Sequence, residues 1–226
     1  MPRLQQLMKP AGEFREVLFW LLLLGSWQFL VVPGTRDNVC GLAGTLAFLV
    51  FAYRNLGRLK GLGLAYAAWR PASRRGWLAA VASGLVAGCI VFAIGSSSGS
   101  GAVLNEDWRL AVLQVTLGPV LEEVLFRGYL FAVLVWALKS LTEDPVRDRL
   151  VIMVSATVFA LAHCAQPGVS WLELACITST GMLYGWLRHA SGSTAPAAAS
   201  HAVYNLTLYV AATLVAMTQA GGTIAR

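Results

Sequence analysis

A chain of 226 residues that is 57% hydrophobic and only 12% charged, with mean hydropathy +0.65, carries about half the charged fraction of a soluble domain. That balance excludes an ordinary soluble domain and predicts a single integral membrane domain over residues 1–226. The net charge of +6 does not call for nucleic acid, because the basic residues cluster between apolar runs, as membrane-orienting charges do.

The first expected span is Phe14 to Val32, ended by Pro33-Gly34; it is longer than the apolar region of a secretory signal, and no small-residue cleavage pattern follows it. The second is Val39 to Tyr53, acceptable in length if it starts nearer Asp37. Arg54 to Arg75 holds six basic and no acidic residues and reads as a cytoplasmic loop with a segment lying on the membrane surface. The third span, Trp77 to Ile94, offers Gly84-xxx-Gly88 as a close-packing face. A flexible Gly/Ser loop from Gly95 leads to Asn105-Glu106-Asp107 and the fourth span, Trp108 to Leu138. A polar turn with Pro145 spans Leu141 to Arg149. The fifth span is Leu150 to Ala165, the sixth Trp171 to Leu187, the loop Ser191 to Pro196, and the seventh Ala197 to Met217.

The basic residues fall mostly in alternate connections: Arg3 and Lys9, then Arg54–Arg75, then Lys139, Arg147 and Arg149, then Arg188. The expectation is therefore an all-α, polytopic membrane protein of about seven transmembrane helices around a polar intramembrane cavity. Its N-terminus is cytoplasmic and its C-terminus outside, in a prokaryotic plasma membrane. The four cysteines, Cys40, Cys89, Cys164 and Cys176, are scattered through apolar runs without a CxxC pair and read as core fillers.

The fourth span carries the most informative stretch, Gly118-Pro119-Val120-Leu121-Glu122-Glu123-Val124-Leu125-Phe126-Arg127. Ionisable groups at membrane depth are costly and mark function by default. Four residues apart on a helix, Glu123 and Arg127 can pair. Glu122 lies about 100° further round the axis, beside Gly118, and is left to act on water or ligand. Phe159 and His163 share a face on the fifth span; His201 and Asn205 share one on the seventh. Both of the latter can donate hydrogen bonds, as a developing oxyanion requires.

A glutamate, two histidines and an amide suit peptide hydrolysis by water. The carboxylate takes the proton, a histidine orients the water, and the His/Asn pair holds the oxyanion. No cofactor is required on that account. The same side chains offer a second route, since two histidines and a glutamate with a water can hold catalytic zinc, here Glu122, His163 and His201. Spacing does not decide between them. Two other classes use the same residues: a non-catalytic scaffold or immunity-type protein, and a proton-coupled transporter carrying its proton on Glu122.

Glu122-Glu123-xxx-Arg127, Phe159-xxx-His163 and His201-xxx-Asn205, in this order, resemble the motifs of the CAAX prenyl protease 2 (Rce1-like) and bacteriocin-processing family of intramembrane proteases. Gly181-Met-Leu-Tyr-Gly-Trp-Leu-Arg188 and Ser191-Gly-Ser resemble that family's segment before its last motif. The likeness covers about residues 108–208. It implies Glu122 as catalytic base, His163 as helper in activating water, His201 and Asn205 as the oxyanion site, and Glu123 with Arg127 and Phe159 in support. It further implies a substrate anchored in the lipid bilayer, prenylated or hydrophobic-tailed, and no nucleic acid. Depth is the difficulty. At about 1.5 Å per residue, Glu122 and His163 each lie about 24 Å along their helices from the cytoplasmic ends, whereas His201 lies only about 8 Å beyond Pro196. Either the Ser191–Pro196 connection dips into the protein, or helices four and five tilt strongly.

Overall fold

The computed structural model describes residues 69, 71–98, 108–138, 143–163 and 169–224. The first two expected spans, and the Arg54–Arg75 loop up to its last residues, lie outside them. All regular structure among the described residues is helical: α1 (Arg74–Ser98), α2 (Trp108–Val115), α3 (Leu117–Glu123), a π-helical segment (Val124–Leu130), α4 (Phe131–Leu138), α5 (Asp144–His163), α6 (Trp171–Ser191) and α7 (Thr194–Ile224). They divide into two compact units, one of Arg70–Val124 with Leu183–Arg226, the other containing Leu125–Met182.

Several boundaries correct the expectation. The fourth span is not one α-helix but α2, α3, the π-helical segment and α4 in succession. The break falls at Thr116, where φ is −111° and ψ −70°. Its hydroxyl bonds back to the Val112 carbonyl at 2.7 Å, an i−4 contact that bends helices. Pro119, three residues on, has no N–H to offer the Val115 carbonyl, so the α2 ladder cannot run through it. It sits instead in the first turn of α3, where a missing N–H costs nothing. Pro145 and Pro196, both expected in connections, likewise occupy the first turns of α5 and α7. The third span also runs on through Gly95 to Ser98.

In the first unit α1 lies along α7. A methyl group on Gly84 would collide with the Ser200 carbonyl oxygen, and one on Gly88 would come within 2.7 Å of Thr207 Cβ. The Gly84-xxx-Gly88 face is thus a packing seam within this chain, and the Ser83 and Ser200 hydroxyls bond across it at 3.1 Å. Stretches Arg74–Ser96 and Thr194–Gln219, with mean hydropathy 2.3 and 1.2, are long and apolar enough to cross a membrane. Leu78, Leu85 and Ile90 on α1, and Leu206, Val210 and Leu214 on α7, are exposed. α6 ends in a two-residue turn onto α7, at Gly192 with φ of 65°, the left-handed region that glycine enters without steric cost. Ser193 then caps α7 by accepting from the Ala195 amide at 3.2 Å.

In the second unit, Leu125, Phe126, Leu130 and Phe159 form a buried cluster edged by Leu134, Val158, Ala162 and Ile177. The start of α6 is fixed by a reciprocal capping box: the Ser170 amide donates to the Glu173 carboxylate at 2.7 Å, and the Glu173 amide to the Ser170 hydroxyl at 3.2 Å.

Candidate active site

Glu122 and Glu123 are the last two residues of α3, at the point where the backbone changes to π-helix. Local π-helical stretches inside α-helices are frequent at functional sites. α3 packs on α7, and both carboxylates meet the same side chain there. Glu123 Oε1 lies 3.0 Å from His201 Nδ1, and Glu122 Oε2 lies 4.0 Å from Nε2. The two acids differ in exposure. Glu123 is fully buried, whereas the Glu122 side chain keeps 29% of its surface accessible.

A carboxylate only accepts, so Nδ1 is the donor toward Glu123. In the neutral ring Nε2 then carries the lone pair. The 4.0 Å between Nε2 and Glu122 is too long for a hydrogen bond and is a spacing at which one water bridges two polar atoms. The ring is also held by its face: Tyr184 stacks on it, centroids 4.8 Å apart and planes 17° apart, while Tyr204 stands at 6.5 Å, tilted by 59°.

Between Glu122 and His201 the depth difficulty is met at the start of α7. Ser193, Thr194, Ala195, Pro196, Ala197, Ala198 and Ser200 are all buried, so the helix begins inside the protein. Small side chains make this feasible, since none is larger than threonine. His201 therefore reaches Glu122 and Glu123 only two turns into α7. The Ser191–Pro196 connection is correspondingly shorter than expected, being confined to residues 192–193.

Asn205, one turn beyond His201, donates through Nδ2 to the Gln114 carbonyl at 2.9 Å. Gln114 belongs to the last turn of α2, where the break at Thr116 interrupts the ladder that would occupy its carbonyl. One Nδ2 hydrogen is thereby engaged.

The remaining predicted residues lie in the second unit. Arg127 is fully buried there; its Nη2 donates to the Gly181 carbonyl at 2.8 Å, and its guanidinium lies 4.5 Å from the Phe159 ring centroid. A methyl at Gly181 would come within 3.2 Å of Arg127 Nη2. Phe159 and His163 do share a face, with centroids 4.7 Å apart, and His163 Nδ1 donates to the Phe159 carbonyl at 2.8 Å. A carbonyl only accepts, so the neutral ring of His163 also presents an unprotonated Nε2.

Spacing within a helix did not reveal the contact of Glu123 with His201, nor the parts of Tyr184 and the Gln114 carbonyl. For a metal, Glu122 and His201 Nε2 give two facing donors in the first unit, against the three protein ligands of catalytic zinc. Among the described residues no three His, Cys, Asp or Glu side chains are placed to hold one metal ion together.

Residues 104–207 match the sequence model of a family described as type II CAAX prenyl endopeptidase Rce1-like. No curated protein and no solved structure matches the chain. The matched segment contains every residue placed above by motif: Glu122, Glu123, Arg127, Phe159, His163, His201 and Asn205. Over that segment, a little under half of its length, the chain is similar to the Rce1-like family.

Proposed function

We propose that the protein is an intramembrane endopeptidase that hydrolyses a peptide bond in a membrane-associated substrate, prenylated or hydrophobic-tailed, using water activated by Glu122. The observation that carries this is the pairing of one imidazole with two carboxylates of unequal exposure, inside the Rce1-like segment. Glu123, buried at Nδ1, fixes the tautomer and orientation of His201 and is spent on that task. Glu122, still accessible, faces Nε2 across the width of a water.

The steps follow from those atoms. Water lies between Glu122 Oε2 and His201 Nε2, one hydrogen to each. As its oxygen attacks the substrate carbonyl carbon, Glu122 takes the proton; the carbonyl π-electrons move to oxygen, and the second N–H of Asn205 stabilises that charge. Collapse of the tetrahedral intermediate breaks the C–N bond, and Glu122 returns its proton to the leaving amine. With Nδ1–H held by Glu123, His201 can itself donate to the oxyanion only as the imidazolium. His163 enters through the family resemblance, which gives it a share in water activation. The distribution of basic residues supports a cytoplasmic N-terminus.

The test is cleavage of a prenylated or hydrophobic-tailed peptide by the protein in nanodiscs. Glu122→Gln keeps the shape and removes the base, so turnover should fall about 10²–10⁴-fold, the usual worth of a general base. Its thermal unfolding should stay within about 0.5 kcal/mol of the parent, as expected for a side chain that is not buried. Undiminished turnover in this variant sinks the assignment.

A further inference from the structure

Tyr184 belongs to none of the three motifs and takes no step in the reaction above, yet it covers one face of the His201 ring. It is fully buried, 4.8 Å from the imidazole centroid and 17° from parallel. The hairpin of α6 and α7 puts it there. Tyr184 stands eight residues before Gly192 and His201 nine after it. At about 1.5 Å per residue both lie roughly 12–13 Å from the turn. Ala197, one turn ahead of His201, is buried in one cluster with Tyr184 and Leu187. It presents only a methyl group, which leaves the larger ring room to reach the imidazole.

A hydrogen bond at Nδ1 fixes where that nitrogen points, but the ring can still swing about the line of the bond. A flat ring on its face removes that freedom, and a branched aliphatic side chain of similar volume does so poorly. Offset stacking is also a favoured arrangement for two π-systems. We infer that Tyr184 is a positioning residue, which by stacking on His201 fixes the plane of the imidazole and so the direction in which Nε2 meets the water facing Glu122. The inference rests on the hydrolytic reading proposed above.

Wild type, Tyr184→Phe, Tyr184→Leu and Glu122→Gln are compared in nanodiscs on one prenylated peptide. Tyr184→Phe keeps the flat ring and should hold kcat within about twofold, while Tyr184→Leu should lose about 10–100-fold in kcat at unchanged KM, the scale of an ångström-sized misplacement. Full kcat in Tyr184→Leu overturns the inference, and so does a rise in KM alone, which would make Tyr184 a substrate contact.

A second readout needs neither turnover nor the leucine variant. The stacked ring shields the His201 ring protons, so their NMR resonances, assigned by their loss in His201→Gln, should lie upfield in wild type and Tyr184→Phe. Unshifted resonances in wild type overturn the inference. If wild type and Glu122→Gln both leave the peptide uncut, the hydrolytic reading fails instead, and the ring-current shift still decides whether Tyr184 holds the ring.

Discussion

A carboxylate with no exposed surface is stable only where its charge is met, and Glu123 is met by His201 Nδ1. Arg127, equally buried, has the Gly181 carbonyl and the Phe159 face. Alanine at either position removes a buried polar group that others answer, at a cost of about 1–3 kcal/mol per partner left unsatisfied. We therefore expect Glu123→Ala and Arg127→Ala each to lower the thermal unfolding midpoint clearly, in contrast to Glu122→Gln, as read by fluorescence-monitored melting in detergent. At this scale the sequence was readable wherever two residues share a helix. The four-residue step from Phe159 to His163 became a ring contact. It was silent on contacts between helices: nothing in the spacing of Glu123 pointed 78 residues ahead to His201.

Proline decided the elements, and misled where it was taken only as a breaker. Pro119, Pro145 and Pro196 all lie in first turns, because the first N–H groups of any helix have no partner to lose. Hydropathy placed helices over the described spans but moved their ends by several residues. It also could not see the break at Thr116, since an apolar run looks the same whether the backbone is continuous or bent. That break has a use: it leaves the Gln114 carbonyl to Asn205 and gives α3 its own direction. Pro119→Ala restores the N–H that would let α2 run into α3. Helix content by circular dichroism should hold or rise, while turnover falls about tenfold or more as Glu122 and Glu123 swing off His201. Unchanged turnover would show that the break does not aim the glutamates.

On the scale of the molecule, the helix bearing His201 depends on one outside the Rce1-like segment. Residues 104–207 hold the site, but α1, at Arg74–Ser98, braces α7 from behind through Gly84, Gly88 and Ser83. Gly84→Leu would force the two backbones apart. Overpacking of this kind costs typically about 1–3 kcal/mol, so the variant should melt earlier and lose activity although it touches none of the reacting groups. A melting point equal to the parent's would show that the seam is slack. The sequence did offer Gly84-xxx-Gly88 as a seam, but without saying whether a helix of the same chain or of another copy would fill it.

Backbone laid directly on backbone has no rotamers to exchange. Packed helices slip past each other chiefly by small side-chain adjustments, and at Gly84 there is no side chain to adjust. α1 and α7 are consequently coupled, so a shift of α1 would carry the backbone of α7, and His201 with it.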